Sequence, residues 1–164
     1  MSTAPNPVQK LYALLVRVAS SLQSPLLLVV RVYWGLQIAQ NGWGKLHNLA
    51  RVTDFFASLG LPAPGLTAAF VSTFEFVGGI LLAIGLLSRV AALGLVIDML
   101  TAYITSDREA LFSFLPLSNA AKFYNADPFI FLAVGLVVLV FGPGKISLDY
   151  LVERRYAARD NLNS

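Results

Sequence analysis

Four long apolar segments are the feature that most restricts how this chain can fold. They occupy residues 26–43, 66–87, 90–105 and 129–141, in a chain that is 57% hydrophobic and 13% charged. A soluble domain of this length is usually less apolar and more charged. A helix needs about 20 residues to cross a hydrocarbon core of about 30 Å, so the two shorter segments must gain length from their flanks or thin the bilayer. The segments predict an all-α integral membrane four-helix bundle.

A soluble helical bundle is the alternative fold, and it requires a polar stripe on every helix. Residues 80–87 and 129–141 show no such stripe, which favours the membrane. The chain also has no cysteine and a single histidine, His47, which we interpret as a polar loop residue. Disulfides, iron–sulfur clusters and metal centres need several such side chains together. We therefore predict no metal site and no covalently bound cofactor.

The segments that flank the apolar region suggest a division of the chain into three parts. Residues 1–23 place Leu11, Leu15, Val18 and Leu22 on one side of a helix, a pattern typical of an amphipathic helix lying in the membrane interface. Pro25 predicts a turn into the first crossing. Residues 24–150 form the membrane domain, and residues 151–164 form a basic cytoplasmic tail.

The distribution of cations predicts the orientation of the bundle. Four crossings put both termini on one side, together with Lys10, Arg17, Arg89, Lys145, Arg154, Arg155 and Arg159. The opposite side carries Lys45, Arg51, Arg108 and Lys122. An excess of cations marks the cytoplasmic face, so we predict a multi-pass protein of the bacterial inner membrane with both termini inside. Anionic lipid accounts for the basic tail, and no nucleic-acid partner is predicted.

Three ionisable residues interrupt the apolar segments at similar depths. Arg31 lies about 10 Å from the cytoplasmic side, Asp98 about 13 Å and Glu75 about 18 Å, counted at about 1.5 Å per residue. An isolated charge in mid-bilayer costs at least about 3 kcal/mol, which favours turning all three toward the interior of the bundle. We expect Arg31 to be shared between the two carboxylates, because its guanidinium offers several donors.

Helical spacing extends these charges into a polar seam. Gly78 and Gly79 adjoin Glu75, where they leave room either for a ligand or for close approach of a neighbouring helix. The polar seam supplies the candidate ligand-binding residues Arg31, Trp34, Gln37, Asn41, Lys45, Glu75, Asp98 and Thr101. A static network of ion pairs that fixes helix packing is an equally good interpretation of the buried charges. The catalytic residues, if the protein is an enzyme, stay unknown at this point.

Three stretches of the sequence resemble the DoxX family of membrane proteins. They are RVYWGLQIAQNGWGKL from Arg31, EFVGGILLAIGLLSR from Glu75 and GPGKISLD from Gly142, of which the last is the most specific. The resemblance covers about residues 24–150, and it departs from the family at Ile146, a position that is more often aromatic. The residues matched as structural motif are Gly78, Gly79, Arg89, Gly142, Pro143, Gly144, Lys145 and Asp149.

The resemblance implies a redox neighbourhood more firmly than a reaction. The family is related to the DoxD subunit of thiosulfate:quinone oxidoreductase, and other members join soluble redox enzymes at the membrane. We therefore expect a protein that serves a redox complex, either by binding a quinone in the polar seam or by docking a soluble or membrane oxidoreductase. A small-solute or proton pathway through the seam and a purely structural scaffold are the alternatives. The ligand, the partner and a homo-oligomeric state stay open.

Overall fold

The computed structural model describes residues 6–114 and 120–163, and within them every regular element is an α-helix. Residues 1–5 of the N-terminal segment, residues 115–119 of the third connection and Ser164 of the tail lie outside the described residues. The helices are α1 (Pro7–His47), α2 (Leu49–Ser58), α3 (Pro64–Ile84), α4 (Ser88–Thr105), α5 (Arg108–Phe114), α6 (Ala120–Tyr124), α7 (Pro128–Phe141) and α8 (Leu148–Asn163). The all-helical fold is confirmed.

Three of the described helices, α1, α3 and α4, are long and apolar enough to span a membrane. Helix α7 is equally apolar in character but has 14 residues, which is about 21 Å of helix. The chain is therefore a membrane protein with several transmembrane helices.

Helix α1 differs from its prediction, because it is one helix of 41 residues with Pro25 inside it. The prediction of a turn at Pro25 is therefore wrong. A proline removes one backbone donor, and membrane helices tolerate this loss where neighbouring groups satisfy the freed carbonyl. The helix begins with a capping box, in which Asn6 N–H donates to Gln9 Oε1 over 3.1 Å. Side chains from Asn6 to Gln23 are exposed, and their location in the membrane interface stays a prediction.

Tight turns define the two ends of the bundle. Gly85, with φ of 74°, and Leu87, with φ of 50°, close the hairpin between α3 and α4, and we call this end the hairpin end. Helix α7 stops at Gly142, whose φ is 76°, as the GPG sequence predicts. At the opposite end, which we call the α2 end, Pro128 begins α7, and the Asp127 side chain before it makes no capping hydrogen bond.

The helices pack as two pairs, α1 on α3 and α4 on α7, which the α3–α4 hairpin joins. The backbones of α1 and α3 touch where Gly35 meets Gly79. A Cβ added to Gly79 would lie 2.6 Å from Gly35 O, and one added to Gly35 would lie 2.8 Å from Gly79 O. Close helix packing therefore explains Gly79, and no room is left for a ligand at this crossing.

Candidate functional site

Glu75 lies near the middle of α3 and is 4% exposed. Its partner is Lys45 in the last turn of α1, whose Nζ donates to Glu75 Oε1 over 2.6 Å. The Lys45 side chain is 36% exposed, so its ammonium group bridges the buried carboxylate and the open space above it. A long lysine stem allows this reach from a helix end into the apolar region. The buried glutamate is thus held by a cation from the α2 end.

Asp98 on α4 completes a carboxyl pair with Glu75, because the two side chains lie close enough to interact directly. Within the described part of the chain, Glu75 Oε2 and Asp98 Oδ2 are both buried and have no hydrogen-bond partner. Buried polar atoms in folded proteins nearly always have a partner. Two adjacent acceptors without donors are therefore available to a ligand, to water or to a shared proton.

A cavity of about 360 Å³ lies against this pair, and we call it the carboxyl cavity. Lys45, Glu75 and Asp98 supply its charged floor, while aromatic rings from α2 and α7 supply apolar walls. This combination is typical of a site for a small organic molecule. The cavity is lined by Ile38, Asn41, Lys45, Phe55, Phe56, Leu61, Thr67, Val71, Glu75, Asp98, Met99, Thr101, Ala102, Thr105, Ser106, Asp107, Asp127, Pro128 and Phe131.

Arg31 does not join the carboxyl pair, so the expectation that it is shared between Glu75 and Asp98 is wrong. Its side chain is fully buried at the hairpin end, where Nη2 donates to Ile146 O over 2.6 Å and Nη1 donates to Leu82 O over 3.4 Å. Two guanidinium nitrogens thus donate to backbone carbonyls, of which Leu82 O also accepts from Gly85 N–H over 3.2 Å, while the buried Nε has no partner among the described residues. Arg31 holds the segment after α7 against α1 and α3.

The GPGKISLD segment continues this contact through Asp149. Its two carboxylate oxygens accept from the backbone N–H groups of Leu87, over 2.7 Å, and Ser88, over 2.9 Å. In return, the Asp149 N–H donates to Gly85 O over 2.8 Å. These bonds satisfy the first donors of α4. The segment thus has a structural role at the hairpin end, where Gly144 adopts a φ of 80° and Lys145 N–H donates to Ser24 Oγ over 3.2 Å.

The other residues expected in the polar seam divide between the cavity and its surroundings. Asn41 and Thr101 line the carboxyl cavity with the charged residues. Trp34 instead packs edge-on against Phe131, at 5.8 Å between ring centroids, beside the hydrophobic core. Gln37 lies on an outer groove of α1, away from the cavity.

Two of the matched motif residues also have plain packing contacts. A Cβ on Gly78 would be in ordinary contact with the Phe74 ring, at 3.5 Å. Arg89 is exposed and lies beside Gly142. A Cβ added to Gly142 would lie 3.3 Å from Arg89 Nη2. Neither residue lines the carboxyl cavity.

Four residues that line the cavity at the α2 end were not predicted from the sequence. Phe55 and Phe56 come from α2, Asp107 follows α4, and Asp127 precedes α7. These positions belong to connections, so no helical periodicity relates them to Glu75. The amphipathic pattern of α2 is a signal that could have identified this surface, because the apolar face of a helix packs against another element.

Comparison with known proteins identifies the family. A family model described as DoxX matches residues 26–108. The chain belongs to the DoxX family. Among curated proteins, this DoxX protein is 29% identical to the inner membrane protein YqjF of Escherichia coli over 79% of the chain and 93% of YqjF. It is 31% identical to the uncharacterized membrane protein Rv3486 of Mycobacterium tuberculosis, over 82% of the chain and 85% of that protein.

A third relative of the DoxX protein carries a name that refers to redox chemistry. The putative oxidoreductase CatD of Bacillus subtilis is 27% identical over 63% of the chain and 86% of CatD. No solved structure matches the chain.

Proposed function

We propose that this DoxX protein binds a quinol or quinone in the carboxyl cavity and so serves a partner oxidoreductase in the membrane. The observation that carries the proposal is the pair of buried acceptors Glu75 Oε2 and Asp98 Oδ2, which find no hydrogen-bond donor among the described residues and adjoin a cavity of about 360 Å³. A quinol offers hydroxyl donors at the edge of an apolar ring. The hydroxyl groups of a quinol can donate the hydrogen bonds that the two carboxyl groups lack.

The remaining walls of the cavity support the same class of ligand. Phe55, Phe56 and Phe131 offer aromatic surfaces against which a planar ring can stack. Lys45 Nζ has three donor positions, of which Glu75 occupies one. A quinone carbonyl can accept from the ammonium group, so both redox forms of the ring find a partner.

Proton handling is the chemistry that this chain itself supplies in the proposal. Glu75 and Asp98 lie where a bound hydroxyl group would donate, and a positioned carboxylate acts as a general base toward such a group. Lys45 stabilises one negative charge in the pair. Electron transfer is assigned to the partner enzyme, and the redox name of the relative CatD supports this assignment.

The proposal includes a placement in the membrane. We take α7 as the fourth crossing, because it is apolar throughout and packs along α4. The larger number of cations on the side of the termini supports an inner-membrane protein with both termini cytoplasmic. A reporter fused to the C-terminus tests this orientation, since a periplasmic signal contradicts it.

Docking of a soluble redox enzyme is the second candidate function, and α8 is the observation that favours it. This helix leaves the bundle after Asp149, and its described side chains Leu151, Arg154, Arg155 and Tyr156 are exposed. A docking role makes no demand on the carboxyl cavity. Ligand binding therefore separates the two functions.

The Glu75→Gln variant tests the binding function. The amide oxygen of the new side chain can still accept from Lys45. The NH₂ group then occupies the position of Oε2, so a hydrogen-bond donor replaces an acceptor. We expect the affinity for a decylubiquinol probe to fall about tenfold or more, while the affinity for decylubiquinone changes less. Quenching of tryptophan fluorescence in purified protein measures both, because Trp34 contacts Phe131 in the cavity wall.

The matched control is Asp54→Asn, an exposed carboxylate on α2 that does not line the carboxyl cavity. It should bind both probes as the unaltered protein does. If the unaltered protein binds neither probe, or if Glu75→Gln binds quinol with full affinity, the quinone function is wrong. A stable complex with a soluble enzyme would then favour docking.

A further inference from the structure

The carboxyl cavity is elongated along the helices and lies in one half of the bundle. On α4 its lining begins at Asp98 and continues through Thr101 and Thr105 to Asp107, beyond the end of the helix. Nine residues of helical rise cover about 13 Å. The cavity thus runs from the carboxyl pair to the α2 end, and most of the side chains added along this path are polar.

A second cavity, which we call the entry cavity, continues the first toward the surface. It measures about 640 Å³ and shares Asn41, Lys45, Phe55 and Phe56 with the carboxyl cavity. Its further lining includes Asn48 and Arg51, both of which are exposed. The shared residues place the two cavities side by side at the α2 end. Charges of both signs line them, since Lys45 and Arg51 are accompanied by Asp107 and Asp127.

The opposite half of the bundle is closed in the described structure. The Gly35–Gly79 crossing brings the backbones of α1 and α3 into contact, and Leu82 and Val138 are almost completely buried beside it. Arg31 fills the space below with its hydrogen-bonded guanidinium. Interiors packed in this way leave no path for water.

We infer that Glu75 and Asp98 exchange protons and hydroxyl-bearing ligands with water at the α2 end of the bundle only. The pair is the blind end of a half-channel and not the middle of a path across the membrane. For the ligand, this inference rests on the proposed quinol function, while the access of water and protons does not. A proton that a bound hydroxyl group gives to the pair leaves on the side of the membrane that α2 faces.

Single cysteines test the inference cleanly, because the chain contains none of its own. Thr101→Cys and Val71→Cys place a thiol in the carboxyl cavity on two different helices. Asn48→Cys reports the α2 side directly, since Asn48 is exposed in the connection before α2. Ser88→Cys is the matched control, a nearly isosteric change at a fully buried position on the same helix as Thr101.

A membrane-impermeant methanethiosulfonate reagent is applied to right-side-out and inverted vesicles. We expect both cavity cysteines to react from the same side as Asn48→Cys, and Ser88→Cys to react from neither side. Reaction of a cavity cysteine from the opposite side, or of neither cavity cysteine from any side, overturns the half-channel. The labelling experiment needs no quinol. If the separate fluorescence experiment shows no quinol binding, the proposed function is refuted, but the labelling result still stands.

Discussion

The two halves of the bundle use buried charge in opposite ways. At the hairpin end, two donor groups of Arg31 are taken up by the carbonyls of Leu82 and Ile146, and the surrounding backbone is tightly packed. Toward the α2 end, Glu75 and Asp98 each keep an unpaired oxygen beside a cavity. Arg31 Nε is likewise buried without a hydrogen-bond partner among the described residues. The difference between the two halves is therefore the space beside the charged group: a cavity adjoins the carboxyl pair, and packed backbone surrounds the guanidinium.

The largest effect should come from Arg31→Leu, which attacks the hairpin end. The change removes two charged hydrogen bonds and leaves Ile146 O without the Arg31 donor, although Leu82 O keeps its bond from Gly85 N–H. We expect a loss of about 3 kcal/mol in unfolding free energy. Thermal unfolding in mild detergent measures it. The control is Arg17→Leu, at an exposed position on the same helix, which should unfold as the unaltered protein does. An equal effect of both variants would contradict the role given to Arg31.

A smaller loss is expected for Gly79→Ala at the crossing of α1 and α3. The added Cβ would lie 2.5 Å from Ala39 N, so the helices must separate, at a cost of about 2 kcal/mol. Gly44→Ala is the matched control on α1, because no atom of the described residues lies within 4 Å of its Cβ position. Alanine there should be neutral or stabilise by up to about 1 kcal/mol. Similar stabilities for the two variants would mean that this half is looser than described.

The smallest effect on stability is expected for Glu75→Gln in the open half. Lys45 loses its counter-charge, but its side chain is about one-third exposed and can turn toward water. We expect a change below about 1 kcal/mol in unfolding free energy, as for partly exposed ion pairs. Chemical or thermal unfolding of the same preparation used for quinol binding measures it. A loss as large as that for Arg31→Leu would make the carboxyl pair a structural network and erase the contrast between the halves.

Local sequence signals predicted the helices well because each one depends on nearby residues. The apolar segments at residues 66–87, 90–105 and 129–141 correspond to α3, α4 and α7, and the GPG sequence ends α7 after Phe141. Pro25 is the exception, since a membrane helix can carry a proline when tertiary contacts support it.

The partners of the buried charges were harder to predict because they depend on contacts between distant segments. Depth counting assigned Arg31 to the carboxylates, yet Ile146, far along the chain, supplies the nearer acceptor. Lys45 was predicted in the polar seam, but its bond to Glu75 was not, because that bond depends on the reach of a long side chain from another helix. The cavity itself required α2 and the start of α7 to meet, and no periodicity within one helix contains that information.

Because α1 is unbroken from Pro7 to His47, it also connects two distant places in one element. Lys45 sits in the cavity at one end, and Pro7 lies 38 residues away along the same helix, which is about 57 Å of rise. The helix therefore carries the exposed side chains of Val8 and Leu11 far from the cavity and beyond the bundle.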